Sequence, residues 1–160
     1  MTKKPVQFQL NGSPAAVFAE EGQNLLDLLR RGVGDLSPKY GCGQGTCGSC
    51  TVLIDGEPHL SCLTLAESVE GQQIETTNGL GNGPNLHALQ EAFMENFSAQ
   101  CGYCTPGMLM AAKALLDRTP RPSREEIVEA ISGNICRCTG YEPIIDAILA
   151  ASGQPTRRTG

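Results

Sequence analysis

Eight cysteines fall into two groups of four, and nothing else in the chain restricts its fold as strongly. Cys42, Cys47, Cys50 and Cys62 lie in the first half; Cys101, Cys104, Cys136 and Cys138 lie in the second. In a secreted mini-protein an even count would suggest disulfides. The N-terminal stretch MTKKPVQFQLNG argues for another compartment: it has two lysines but no apolar segment of a signal peptide, and no twin-arginine pair occurs near the start. No stretch approaches the roughly 18 apolar residues of a membrane span. The expectation is a soluble cytoplasmic protein. In a reducing cytosol, clustered thiols bind metal or carry out redox chemistry.

The first group reads Cys42-x4-Cys47-x2-Cys50, with Cys62 standing alone after eleven further residues. C-x4-C-x2-C is the plant-type [2Fe–2S] spacing, whereas structural zinc sites use two short knuckles. The loop itself, GCGQGTCGSC, holds four glycines in ten positions. A chain wrapped around an inorganic core has no room for inward Cβ atoms, and its amide N–H groups must face sulfur. Gly41, Gly43, Gly45 and Gly48 answer that demand, through left-handed backbone and close approach. Such N–H groups offset cluster charge and tune its potential.

The second group reads Cys101-x2-Cys104 and Cys136-x-Cys138. Side chains two positions apart do not share a helix face, so the C-x-C pair must sit in a turn. Four thiolates would then meet at helix junctions, where helix N-termini offer partial positive charge. On spacing alone this set suits zinc or an iron–sulfur cluster.

The glycine- and proline-bearing stretch NGLGNGPN, residues 78–85, separates the groups and reads as linker. We expect an α+β chain with domains at 1–78 and 86–153, a linker at 79–85 and a tail at 154–160. In the first half Val6, Phe8 and Leu10 alternate with polar residues, Asn11-Gly12 offers a type I′ turn, and Val17 lies on the return strand. Leu25, Leu26, Leu28 and Leu29 predict a short helix ending near Gly32; TVLIDGEP predicts strand, turn and strand; Ile74 marks a last short strand. In the second half four helices are predicted. Leu86, Leu89, Phe93 and Phe97 follow an Asn85 cap; Thr105 and Pro106 open an all-round apolar helix; Ser123 with Glu126, and Thr139 with Glu142, form capping boxes. Units this small bury only about 60% of their unfolded surface, so a metal centre in each would act as a staple.

Net charge is −5, which argues against nucleic acid as a partner. The basic pair Arg157-Arg158 reads as a solvated tail. His59, on a predicted turn, and His87, on a predicted polar helix face, read as surface residues, Met108 and Met110 as core, and Glu125, Glu126 and Glu129 as a solvated helix face. There is no dinucleotide fingerprint, no P-loop and no catalytic constellation; GLGNGP at 79–84 lacks the strand–helix context of a phosphate loop. The chain can carry electrons, but substrate chemistry must sit elsewhere.

The segments YGCGQGTCGSCTVLIDG, LSC at 60–62, QCGYCTPGM at 100–108 and NICRCTGY at 134–141 resemble the small iron–sulfur subunit of the molybdenum hydroxylases, the xanthine oxidase family. The likeness runs from about Val6 to Ala151 with no departure at a ligand position. It implies an N-terminal ferredoxin-like β-grasp domain and a C-terminal four-helix-bundle domain, each holding one [2Fe–2S] cluster. It implies a large molybdopterin-binding subunit beside the helical domain, a flavin subunit or other acceptor beyond the ferredoxin-like one, and a dimer of heterotrimers. Gln100 matches a pterin-contacting glutamine, and Cys138 the ligand closest to the pterin. The expected function is an electron-transfer subunit relaying electrons from molybdopterin through two clusters to FAD or another acceptor. The competing readings are a free-standing two-cluster ferredoxin and a zinc-stapled interaction module.

Overall fold

A computed structural model describes residues 3–156. The tail pair Arg157-Arg158 lies outside them. The first half is a five-stranded mixed sheet in the order β2-β1-β5-β3-β4. Strands β1 (Lys3–Leu10) and β2 (Ser13–Glu20) form the first hairpin. Asn11 (φ 52°) and Gly12 (φ 78°) are both left-handed, as a type I′ turn requires. A second hairpin joins β3 (Thr51–Ile54) to β4 (Glu57–Leu60) through Asp55 and Gly56, again both left-handed. Strand β5 (Gln73–Glu75) inserts between the hairpins, parallel to β1 and antiparallel to β3. This is the β-grasp arrangement, and α+β is the class.

One helix crosses the sheet. Asn24 caps α1 (Leu25–Asp27) by accepting from the Asp27 amide at 2.8 Å. The turn then widens into a π-helix over Leu28–Val33 and closes at left-handed Gly34, two residues later than expected at Gly32. All four leucines are fully buried: Leu25, Leu28 and Leu29 pack with Val6, Phe8, Val52, Ile54 and Ile74, while Leu26 packs with Cys50 and Cys62.

The second half holds four helices: α2 (Ala88–Glu95), α3 (Thr105–Arg118), α4 (Arg124–Ile131) and α5 (Glu142–Ala151). Leu89, Phe93, Met108, Leu109, Ile127, Ile144 and Ile148 form its core. The expected capping box at Ser123 and Glu126 is present. Three expected caps are not. His87 replaces Asn85: its Nδ1 accepts from the Leu89 amide and Gln90 completes a capping box, so this histidine is no bystander on a helix face. Leu86 and Phe97 lie outside α2 and are exposed. Cys104, one residue before Thr105, caps α3. Tyr141, left-handed at φ 70°, caps α5, while Thr139 accepts from the Tyr141 amide instead of capping. His59 lies in strand β4 opposite Val52, not on a turn.

The two cores meet along α3. Leu53 on β3 packs with Met110 and Ala114 of α3 and with Leu80. That contact explains why all four residues of β3 are buried: the core covers one face of the strand and α3 the other. Thr77 also donates to the Pro106 carbonyl at 3.2 Å, tying the end of the sheet to the start of α3. Among the described residues, no helix is long and apolar enough to cross a membrane.

Candidate metal centres

Cys42, Cys47 and Cys50 lie on an irregular loop, residues 34–50, that enters β3, and Cys62 follows β4. Cys50 and Cys62 are buried; Cys42 and Cys47 are partly exposed. The loop coils through left-handed Gly43, Gly45 and Gly48. It does so in the manner the anionic sulfur asks for: the Gln44 and Thr46 amides donate to Cys42 Sγ at 3.4 and 3.3 Å. The reason for the glycines is only partly the one expected. A Cβ on Gly41 would stand 2.7 Å from Cys47 Sγ and so intrude among the thiols. A Cβ on Gly43, Gly45 or Gly48 would instead strike Tyr40, Leu63 or the Gly133 carbonyl, which pack on the loop from outside.

The second four lie at helix junctions. Cys101 precedes a left-handed Gly102, Cys104 caps α3, and Cys136 and Cys138 lie in the loop between α4 and α5. Cys101 and Cys138 are exposed and Cys136 is buried. The Cys138 and Cys101 sulfurs are 3.5 Å apart. Thr139 Oγ1 lies 3.1 Å from Cys136 Sγ, and exposed Gln100 donates to the Cys138 carbonyl at 3.1 Å.

All eight thiols are unbridged. Cys50 and Cys62 pack together with Leu26.

The thiols differ in acidity for identifiable reasons. Hydrogen bonds from the Thr46 side chain and the Gln44 amide bring Cys42 down to about 5. Burial pushes Cys50 up to about 11 and Cys104 up to about 12. Cys101 is lowered, chiefly by the Tyr103 amide, and its partner Cys138 is raised by the hydrogen bond between them. At Cys136 burial raises the value, but bonds from the Thr139 hydroxyl and amide outweigh it and leave it lowered. Each set therefore contains thiols made more acidic and thiols made less acidic by their surroundings.

The two sets are not remote. The Ile135 amide donates to the Cys47 carbonyl at 2.9 Å. Ile135 directly precedes Cys136, so one hydrogen bond joins a residue of the first set to the neighbour of a residue of the second. Tyr103 reinforces the junction by donating to the Tyr40 carbonyl at 2.7 Å. Neither contact was predicted. Both residues lie in the quoted motifs, but nothing in a linear spacing says that these motifs touch.

Known proteins share this arrangement. Residues 8–80 match the family described as the 2Fe-2S iron-sulfur cluster binding domain, and residues 76–149 match the [2Fe-2S] binding domain. The nicotine 6-hydroxylase small subunit of Paenarthrobacter nicotinovorans is 44% identical over 155 residues, covering 97% of this chain and 93% of that protein. The nicotinate dehydrogenase small FeS subunit of Eubacterium barkeri is 45% identical over 151 residues, covering 94% and 96%. The crystal structure of quinoline 2-oxidoreductase from Pseudomonas putida 86 superimposes with a TM-score of 0.93 at 49% identity, covering 96% of both chains. With the two halves and their cysteines already in place, these similarities make the chain a member of the small [2Fe–2S] subunit family of the molybdenum hydroxylases.

Proposed function

We propose that this chain is an electron-transfer subunit that relays electrons from a molybdopterin cofactor on a large subunit to FAD or another acceptor. In this reading Cys42, Cys47, Cys50 and Cys62 hold one [2Fe–2S] cluster, and Cys101, Cys104, Cys136 and Cys138 hold the other. When bound, each cluster supplies one-electron redox chemistry. The observation that carries the reading is the hydrogen bond from Ile135 to the Cys47 carbonyl, which links the two thiol sets by covalent bonds and a single N–H···O contact.

The protein's own residues set the conditions. Amides of Gln44 and Thr46 stabilise negative charge on Cys42 sulfur, and the Thr139 hydroxyl lies against Cys136 sulfur. Gly43, Gly45 and Gly48 let the loop close around its thiols. Burial of Cys50 and Cys62 keeps water from the inner side of the first set. The exposed edge of the second set, with Cys101, Cys138 and Gln100, is the side we assign to the large subunit, with Gln100 meeting the pterin. The first set would face a flavin subunit or other acceptor, in a dimer of heterotrimers. The substrate is left to the large subunit, since no residue here addresses it. Clustered unbridged thiols fit a reducing cytoplasm.

A free-standing ferredoxin accounts less well for the surface. Met94 and Phe97 stand 67% and 73% exposed, beside a groove of about 500 Å³ that reaches Ala99 and Thr105, which flank the Cys101–Cys104 turn. Such apolar exposure is typical of a surface that meets another protein.

Purification with native partners, followed by metal analysis and EPR, tests the reading. Iron, acid-labile sulfide and molybdenum should co-purify, and reduction should give two distinguishable [2Fe–2S] signals. Cys104→Ser should remove one signal and stop turnover, leaving the other. A colourless, zinc-bearing preparation, or turnover that survives Cys104→Ser, would overturn it.

A further inference from the structure

We propose that Asn134 is the positioning residue that holds the two cysteine loops in register for electron passage; this rests on the electron-transfer reading above. Asn134 is a buried polar residue, 5% exposed, in the loop that leads from α4 to Cys136. Its backbone amide donates to the Ile131 carbonyl and finishes α4, so its side chain is directed at another segment. Nδ2 donates to the Gly48 carbonyl at 2.9 Å and to Thr51 Oγ1 at 3.3 Å. Gly48 lies between Cys47 and Cys50. Residues 134 and 135 thus bind residues 48 and 47 side by side, one through a side chain and the next through its amide.

Asn134, Thr51 and the Gly48 carbonyl form one small hydrogen-bonded knot. Thr51 gives its hydroxyl proton to the Gly48 carbonyl at 2.7 Å and accepts from Asn134. The Thr51 amide also donates to that carbonyl at 3.0 Å. Because the Thr51 hydroxyl and Gly48 carbonyl oxygens are only 2.7 Å apart, the Asn134 amide reaches both from one side. Aspartate has the same shape but offers no donor, and would set a carboxylate against the Gly48 carbonyl. In a buried network a missing donor is costly.

Steric contact fixes the same point from the far side. A Cβ on Gly107, in the first turn of α3, would overlap the Gly48 carbonyl oxygen. A Cβ on Gly48 would overlap the Gly133 carbonyl and the Asn134 amide. The Gly48 carbonyl therefore sits in a slot with α3 on one side and Asn134 on the other. The Ile135–Cys47 hydrogen bond has its geometry only while that slot is filled.

The test uses the intact complex with both clusters loaded, comparing wild type with Asn134→Ala, Asn134→Asp and Gly107→Ala. Two quantities are read: the spin–spin splitting between the two reduced clusters by low-temperature EPR, and hydrogen exchange of the Ile135 amide. Each variant should retain two [2Fe–2S] signals, lose the splitting and exchange the Ile135 amide faster. Gly107→Ala leaves Asn134 in place and displaces the carbonyl, so it carries the test if the Asn134 variants do not assemble. Splitting and protection unchanged in Asn134→Ala, or in Gly107→Ala where the former does not assemble, would overturn the proposal. Fewer than two [2Fe–2S] signals in the wild type would instead remove the electron-transfer reading on which it stands.

Discussion

The amide of Cys136 donates to the phenolic oxygen of Tyr141 at 2.9 Å. Tyr141 reaches that position because its backbone is left-handed, φ 70°, an uncommon state for a bulky residue. Its ring packs against the helical core, and its own amide is held by Thr139. The loop carrying Cys136 and Cys138 is thus closed on itself by one tyrosine.

Tyr141→Phe keeps the ring and removes the acceptor. The Cys136 N–H would be left without its partner, at a cost of about 1–3 kcal/mol. Urea unfolding should show that loss. The freed N–H can turn towards sulfur, so a redox titration should find the helical-domain centre at a higher potential, with the other centre unchanged.

Gly41→Ala and Gly56→Ala separate two roles of glycine. At Gly41 a methyl would lie 2.7 Å from Cys47 Sγ, an atom that cannot yield while it holds metal. We expect the first-set EPR signal to vanish and the second to persist. At Gly56, φ 85°, a methyl meets nothing within 4 Å. That variant should keep both signals and lose about 1–2 kcal/mol from backbone strain alone.

In cluster-free protein the thiols should alkylate in an order set by their acidity. Cys42, at about 5, is thiolate at neutral pH, whereas Cys50, at about 11, and Cys104, at about 12, keep their protons. Thiolate is the nucleophile. Mass spectrometry after brief iodoacetamide treatment at pH 7 should find Cys42 labelled well before Cys50 and Cys104. Lowering the pH below 5 should slow Cys42, and raising it towards 11 should narrow the gap to Cys50.

Lys113 bridges the two halves. Its ammonium on α3 pairs with Asp117 at 2.6 Å and with Glu75 of β5 at 3.3 Å. Burial lowers its pKa, but its bond to Asp117 and the charge of Glu75 more than compensate, and the folded value is raised. Stability from a raised lysine is fully present below its unfolded value, about 10.4, and disappears as pH climbs through the folded value. Lys113→Met should therefore destabilise by about 1 kcal/mol at pH 7, with the difference shrinking above about pH 10.4. A gap that is constant from pH 7 to strongly alkaline solution would contradict the ion-pair account.

Much of this architecture was readable from local chemistry. Asn11-Gly12 predicts its turn because that turn needs two left-handed residues and these two tolerate them. Ser123 and Glu126 predict their cap because both partners lie within one turn. Reading failed where two local solutions competed. Thr139 with Glu142 has the spacing of a capping box, yet Thr139 is drawn to the Cys136 sulfur and the Tyr141 amide. Asn85 is a good cap by type, but the helix starts later, where His87 and Gln90 satisfy each other's neighbourhood.

The order of residues was enough to divide the thiols into two sets, to recognise the plant-type spacing of the first and to assign the classes of both halves, because spacing, turn residues and periodicity act over a few positions. That Asn134 and Ile135 clasp Gly48 and Cys47 followed only from the way the helical half packs on the sheet, with α3 across β3. Those contacts join segments more than eighty residues apart. Their geometry is set by where two apolar surfaces come to rest on one another, and no short-range pattern encodes that.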